Sequence, residues 1–265
     1  MSISSTLIDR AEIRFQPAAD VLHPYVGCFW IITAEQGATI RVVPDGSTAI
    51  SVQLQDHRSS GWVLRGPLVR PQERRFSSPA TLIGVRLRPG VAYLVSGVAA
   101  DAMLGRRVRL SGQAFDALAS GDCLSRTPQQ NIDVLQRFLI ERLAGAGVDR
   151  VVATALDAIQ RRRGCFRVMD VAAECGVSER HLNRKMRTWI GYGPKRFGRV
   201  ARFQETLKEM EHAPALSGAA LASQTGYFDQ AHLTLDMTRL AGDTPGHVAS
   251  HSVADFYKTR CDGPL

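Results

Sequence analysis

A chain of 265 residues with 45% apolar residues can fill two cores of ordinary size, and no run approaches the 18 or so uninterrupted apolar residues of a helical membrane span. Its 33 Lys and Arg outweigh 25 Asp and Glu to give +8 at pH 7, a balance that invites a polyanionic partner, while the lack of a long apolar run leaves no membrane expected. Five scattered cysteines (Cys28, Cys123, Cys165, Cys175, Cys261) form no C-x-x-C pair, and Met1 to Thr6 lack a basic stretch leading into an apolar one. A disulfide framework, a cysteine zinc ribbon and a secretory signal are therefore not expected, and a reduced, cytoplasmic protein is.

The N-terminal half carries alternating or short apolar runs at 25–33, 39–43, 49–54, 62–65 and 82–87, separated by Gly, Pro, Asp and Ser. Such spacing predicts a series of strands closing into a β-sandwich or small barrel. His23 and His57 are the only histidines of this half and are not clustered, so neither metal nor cofactor is expected. No Gly-rich phosphate loop, carboxylate pair or nucleophile elbow is present, and the chain does not read as an enzyme. Cys28 beside Phe29 and Trp30 is expected to be a core thiol rather than a reactive one, since it sits in an apolar run.

Arg86 and Arg88 alternate with Val85 and Leu87 and would share one face of a strand. Inside a barrel they would suit an anionic effector; outside, or between domains, they avoid the cost of unpaired buried arginine, and that placement is preferred. Trp30 and Trp62 are more often core residues than ligand-stacking ones. Trp30, Trp62, Arg86 and Arg88 are nonetheless the candidate effector contacts. Residues 101–144 read as helical, with Ile132, Leu135, Leu139 and Leu143 as a stripe and Phe138 beside it. Packing on the domain's own sheet and a dimer seam both remain open. Gly145-Ala146-Gly147 marks a linker.

Beyond the linker the pattern changes to a helical period. Val152, Ala155, Leu156 and Ile159 form one stripe and Val168, Val171, Ala172 and Cys175 a second. Gly176 stops that helix, and Ser178 caps a third with Leu182, Met186, Trp189 and Ile190 inward. Its outer side is Glu179, Arg180, Asn183, Arg184 and Arg187, types whose paired donors can read guanine and adenine edges. Pro194 opens a helix of about 194–211, burying Phe197, Val200, Phe203, Leu207 and Met210 and spanning roughly 25 Å. Next come a supporting helix at 216–225 and a further helix capped by Asp229, with Leu233, Met237 and Leu240 inward and Gln230, Ala231, Thr234, Leu235 and Thr238 outward.

The unit is written twice. His181, Leu182, Met186, Gly191 and Pro194 recur 51 residues later as His232, Leu233, Met237, Gly242 and Pro245. Residues 161–202 hold twelve Lys or Arg against three acids, a net +9, whereas the chain from 203 onward nets −4. The electrostatic anchor lies on the first copy, where phosphate neutralisation would supply sequence-independent affinity.

Val171-Ala172, Gly176-Val177-Ser178, His181-Leu182 with Arg184, Gly191-x-x-Pro194, the run Gly226 to Leu233 and Gly242-Asp243-Thr244-Pro245 carry a resemblance. The region 151–251 is similar to the DNA-binding domain of the AraC/XylS family of bacterial transcription regulators. That resemblance implies base contacts from Arg180, Asn183 and Arg184, then from Asp229, Gln230 and Ala231, with Ser178, Arg187, Lys195, Arg196 and His232 nearer phosphates. Where the family usually has a basic residue and then Phe in the second recognition helix, this chain has Leu235 and Met237, so the first half-site is expected to dominate. Pro44-Asp45-Gly46, Gly66-Pro67 and the stretch 84–90 resemble a cupin-like domain of unknown function found upstream of such modules, over about 10–112.

The expectation is an α+β chain: a cupin-like β-barrel or sandwich with trailing helices at 1–145, an all-α domain of two helix-turn-helix units joined by a long helix at 148–252, and a tail at 253–265. Expected partners are double-stranded DNA, a small-molecule effector, a second copy of the chain and RNA polymerase. A cupin-type enzyme fused to a DNA-binding domain, and a ligand-independent dimeric DNA binder, are the alternatives.

Overall fold

The computed structural model describes residues 8–119 and 123–250; the N-terminal residues 1–6, Cys261, the last residues of the expected C-terminal domain and the expected tail lie outside them. The N-terminal half is one antiparallel sheet of β1 (Ile8–Gln16), β2 (Val26–Val42), β3 (Thr48–Gln55), β4 (Arg58–Ser59), β5 (Val63–Arg65), β6 (Gln72–Arg75), β7 (Ala80–Leu87) and β8 (Arg107–Arg109). Strand order is β1-β2-β7-β3-β5-β8, with β4 added to β3 and β6 to β2.

The runs expected as separate strands at 25–33 and 39–43 are a single strand, β2. Gly37, at φ +81°, lets it turn without breaking. Its first part pairs with β7 and its second with β6, so one strand holds two neighbours along one edge. Side chains alternate across the sheet. Phe29, Ile50, Ile83 and Val85 point to one face, and Trp30, Ile32, Ile40 and Leu82 to the other.

The first face is covered by α1 (Val91–Ser96) and, after a short α2 (Asp116–Ala119), by α3 (Pro128–Leu143). Residues 101–144 are thus not continuously helical. Gly105 and Gly112 take positive φ, which ends any helix there, and Arg107–Arg109 joins the edge of β5 instead. The true start of α3 is a capping box, Thr127 accepting from the Gln130 amide while Gln130 returns to the Thr127 amide, with Pro128 in the first turn. Ile132, Leu135, Leu139 and Leu143 are all buried with Phe138 in the sheet's own core, so the stripe is consumed within the domain and forms no dimer seam.

The C-terminal half is all helical: α4 (Arg150–Arg161), α5 (Val168–Glu174), α6 (Glu179–Ile190), α7 (Pro194–His212), α8 (Gly218–Gln224), α9 (Gln230–Ala241) and α10 (Pro245–Ser250). Leu182, Met186, Phe197, Phe203, Leu233 and Met237 are fully buried in one cluster, each burial contributing about 1.5–3 kcal/mol. Met210 and Trp189, expected inside, are half-buried; Trp189 stacks on Tyr93 of α1 with ring centroids 4.6 Å apart. The supporting helix of the second unit is shorter than the expected 216–225, because the Ser217 hydroxyl caps it by accepting from the Ala220 amide.

The two halves dock closely. Val43 belongs to the helical core, and the buried Gln204 amide donates to the Pro44 carbonyl at 2.7 Å. The Ala100 amide donates to the Thr188 carbonyl at 2.7 Å, satisfying an acceptor of the last turn of α6. One loop, residues 66–71, reaches both repeats: Pro67 lies against Gly191 at the end of α6, and Pro71 against Gly242 at the end of α9.

Candidate nucleic-acid interface

The duplication seen in the sequence is a duplication in space. Each unit runs supporting helix, turn, recognition helix, left-handed glycine and a proline-led helix. Ser178 and Asp229 occupy the same cap, Ser178 accepting from the His181 amide at 3.3 Å and Asp229 from the His232 amide at 2.7 Å. Gly191 (φ +93°) and Gly242 (φ +82°) end α6 and α9, where a side chain would be strained.

On α6 the side chains of Arg180, Arg184 and Arg187 are exposed, and Lys195 and Arg196 are exposed in the first turn of α7. Among the described residues none of these five makes an ion pair with an acid. Arg184 leans on His181, 3.3 Å from its Nδ1. Asn183 is placed differently: half-buried, it donates to the Glu179 carbonyl at 3.1 Å and packs against Gly193. Its amide is engaged by its own helix, whereas the three arginines are open.

The rest of the basic surplus is partly spent inside the protein. Arg161 and Arg162 grip Glu174, and Arg161 also Asp157. Lys185 meets Asp149 at 2.6 Å. Burial works against the charge of Asp149, but hydrogen bonds from Lys185 and from the Val152 and Val151 amides hold its carboxyl below the usual range. Asp236, 51 positions after Lys185, is buried in α9 and receives Arg199 at 2.6 Å and Arg202 at 3.3 Å from α7. Sequence reading counted those arginines toward a polyanion and missed the role of Asp236. Its signal was the one acid of the helix, set between two apolar residues.

The second recognition helix is chemically quieter. The Asp229 carboxylate is committed to its cap, and Gln230 turns toward Gly218. Ala231 and Leu235 are exposed, Leu235 at 48%. The Thr234 and Thr238 hydroxyls donate back to the carbonyls of Gln230 and Thr234, a local bond that removes them as outward donors. His232 is half-buried, edge-on to the Tyr227 ring at 5.1 Å and 4.0 Å from Asp236. Phe228, part of the run that carries the resemblance, was given no role from the sequence. At 92% exposed it stands at the head of α9 while its neighbour Tyr227 takes the buried position.

Between the two units lies a cleft of about 520 Å³ bordered by Arg167, Lys195, Arg199, Arg202 and Arg239, with Asp236 as its one acid. Arg199 and Arg202 are paired with that carboxylate, Arg167, Lys195 and Arg239 complete the cationic border, and the apolar Leu235 stands at its edge.

The candidate effector residues are not brought together. Trp30 lies on the face of the sheet opposite α3, its ring filling the space that a side chain on Gly84 would take. Trp62 is buried in the opposite core. Arg86 is mostly buried between the domains, 2.8 Å from Asp45, whose loop packs on Phe197 and Tyr192. Burial, with Asp45 nearby, pushes the Tyr192 hydroxyl far up. Arg88, past the end of β7, donates to the His23 carbonyl at 2.8 Å. Cys28 is buried. Among the described residues no three His, Cys, Asp or Glu side chains gather as metal ligands, and no helix is long and apolar enough to cross a membrane.

Comparison with known proteins adds two matches. Residues 171–251 match the family model of a helix-turn-helix domain, and residues 13–109 that of a domain of unknown function (DUF6597). No curated protein matches the chain. Among solved structures, ToxT from Vibrio cholerae aligns over 92% of this chain and 99% of its own at 7% identity and a TM-score of 0.46. ToxT from strain O395 bound to (E)-4-(8-methylnaphthalen-1-yl)but-3-enoic acid gives 92%, 99%, 7% and 0.47. Wild-type ToxT from strain SCE256 with bound unsaturated fatty acid gives 95%, 98%, 10% and 0.46.

Proposed function

We propose, from the premise that the C-terminal region of this chain is an AraC-type helix-turn-helix domain and the chain a DNA-binding transcription regulator, that α6 reads the sequence and α9 mainly positions. The observation that carries this is the open row Arg180, Arg184 and Arg187, continued by Lys195 and Arg196 and free of acidic partners among the described residues. Arg180 and Arg184 reach guanine edges in the major groove; Ser178, Arg187, Lys195, Arg196 and the cleft between the units hold backbone phosphates. Asn183 contributes once its amide leaves Glu179. In the second groove Gln230, Ala231 and Leu235 offer mainly apolar contact, suited to thymine methyl groups, while Asp229 and His232 support the helix start.

The division at 1–145 and 148–252 assigns sensing to the sheet and DNA reading to the helices, in a cytoplasmic, non-enzymatic protein. A small-molecule effector acts on the sheet domain, and a second copy of the chain and RNA polymerase complete the partners. The close docking of the halves supports this reading, since a change in the sheet domain meets the ends of both recognition helices.

Selection of bound duplexes from a random library with the full-length protein at fixed salt tests the proposal. Two unequal motifs about one helical turn apart are expected. Arg184→Ala should cost roughly 1–3 kcal/mol on the selected site and relax its strongest position, while Lys195→Ala weakens all sequences alike and flattens the salt dependence. Identical behaviour of the two variants on selected and random DNA would overturn the division of roles.

A further inference from the structure

The turn that leads into α9 is one residue longer than its counterpart before α6. Between Gly176 and the cap Ser178 stands Val177 alone; between Gly226 and the cap Asp229 stand Tyr227 and Phe228. Backbone hydrogen bonds show which of the two is the addition. The Val177 amide donates to the Ala172 carbonyl at 3.0 Å and the Tyr227 amide to the Ala222 carbonyl at 2.9 Å. Tyr227 therefore takes the place of Val177, and both pack against the helical core. Phe228 has no equivalent in the first unit. It is 92% exposed, more than any other large apolar residue among those described.

Both neighbours of Phe228 are anchored. The Arg202 guanidinium lies over the Tyr227 ring, 4.3 Å from its centroid, and donates to the Gly226 carbonyl at 3.4 Å. On the other side the Asp229 carboxylate accepts from the His232 amide at 2.7 Å. A residue fixed from both ends presents its side chain with little further ordering of the chain. The place it holds matters, because the leading residues of the second helix of a helix-turn-helix meet base edges in the major groove. Two residues past its cap the first unit carries Arg180; the second carries Ala231, exposed and three residues after Phe228. The polar groups nearby are engaged: Asp229 in its cap, Gln230 against Gly218, and the Thr234 hydroxyl donating to the Gln230 carbonyl at 2.8 Å. The leading end of α9 is thus apolar, and the apolar group on the major-groove edge of a base pair is the 5-methyl of thymine. The cleft lined by His232 and Leu235 of the same helix carries Arg167, Lys195 and Arg239, a border that suits the phosphates flanking such a base.

We propose that Phe228 is a specificity-determining residue of the second unit, its ring covering the 5-methyl group of a pyrimidine in the major groove with Ala231 beside it, so that this half-site is read by the methyl and not by hydrogen bonds. This role rests on the DNA-reading function proposed above and names the group that α9 recognises. It extends to modified DNA. 5-Methylcytosine carries the same methyl at the same ring position, so a cytosine at the contacted step gains the contact on methylation and lacks it when bare. Arg180 and Arg184 donate to guanine and need no methyl, which makes the first half-site an internal control.

Selection with the full chain from two random duplex libraries tests the role, one library built with thymine and one with deoxyuridine, which keeps the pairing edge and lacks the methyl. The second motif should contain thymine and vanish from the deoxyuridine library, while the first persists in both. On the selected duplex, exchanging the contacted thymine for deoxyuridine should weaken binding about fourfold by fluorescence anisotropy, the effect of removing one covered methyl. At the same step 5-methylcytosine, paired with guanine, should bind about fourfold tighter than cytosine. Phe228→Ala should bind the thymine and deoxyuridine duplexes alike, and Phe228→Leu, which keeps an apolar side chain, should retain part of the preference. Since the ring is exposed, neither variant should shift Tm. Two selected motifs with equal affinity for thymine and deoxyuridine throughout the second, or full discrimination by Phe228→Ala, would remove the role of Phe228 and leave the DNA-reading function standing. Enrichment of no motif from the thymine library would remove both.

Discussion

Asp236 shows how one residue can redirect the meaning of a charge count. Its carboxylate is almost wholly buried and joined by two arginines from α7. Removing one side of such a buried pair leaves the other uncompensated, at about 3 kcal/mol. Asp236→Asn should therefore lower the denaturant midpoint of the full chain by an amount worth about that much, whereas Lys185→Met, whose partner Asp149 is nearer solvent, should cost only about 1 kcal/mol. Asp149 also sets a pH dependence. Its folded carboxyl titrates below the unfolded one, so its contribution is present above about pH 4 and fades as pH falls through the folded value. An Asp149→Asn variant should lose less stability than wild type between about pH 5 and 3; parallel curves would show that the cap and ion pair contribute nothing. The caps Ser178 and Asp229 were legible in the sequence because a cap acts within three residues. Asp236 was not, because its partners lie 34 and 37 residues away on another helix.

At the scale of elements, α6 and α9 share a frame and differ in what they present. Leu235 stands exposed at the edge of a cationic cleft, so Leu235→Arg should tighten binding to the selected duplex by about 1 kcal/mol, read by fluorescence anisotropy. Unchanged affinity would mean that α9 does not approach DNA on that side. The long apolar periodicities were readable: α4, α6, α7 and α9 lie where the 3.6-residue pattern put them, since a buried stripe is written into the helix's own sequence. β6 and β8 were not readable. Gln72–Arg75 and Arg107–Arg109 carry almost no apolar alternation, and only pairing with distant β2 and β5 makes them strands. A cavity lined by Trp30, Arg65, Arg74 and Arg107 was hidden for the same reason, because Arg74 and Arg107 sit on those strands. Trp30 was named as a candidate, but its neighbours could not be.

At the scale of the molecule, the sheet domain is bolted to the helices through glycine positions. Gly46, at φ +82°, touches Phe197, and a methyl group there would come within 2.7 Å of the ring. Gly46→Ala should pull the 43–47 loop out of the helical core and expose the linker at 145–147 to protease, whereas an alanine at Gly97, where nothing lies within 4 Å, should carry only local backbone strain. Equal cleavage of both variants would show that the loop does not hold the halves together.

The opposite signs of Lys185 and Asp236 have a consequence for how the chain reaches this state. Near-copies in one polypeptide risk exchanging places while folding, a recurrent failure of tandem proteins. Here the wrong assembly is penalised by charge: α6 seated on α7 would set Lys185 among Arg199 and Arg202, and α9 seated on α4 would set Asp236 beside Asp149. The inverted ion pair thus labels each copy for its own scaffold. Reversing the first pair, with Asp149→Arg and Lys185→Asp together, should preserve that unit's bridge yet make the two seats electrically alike. Refolding would then yield entangled dimers and misassembled chains by size-exclusion chromatography, where the natural pairing yields one species.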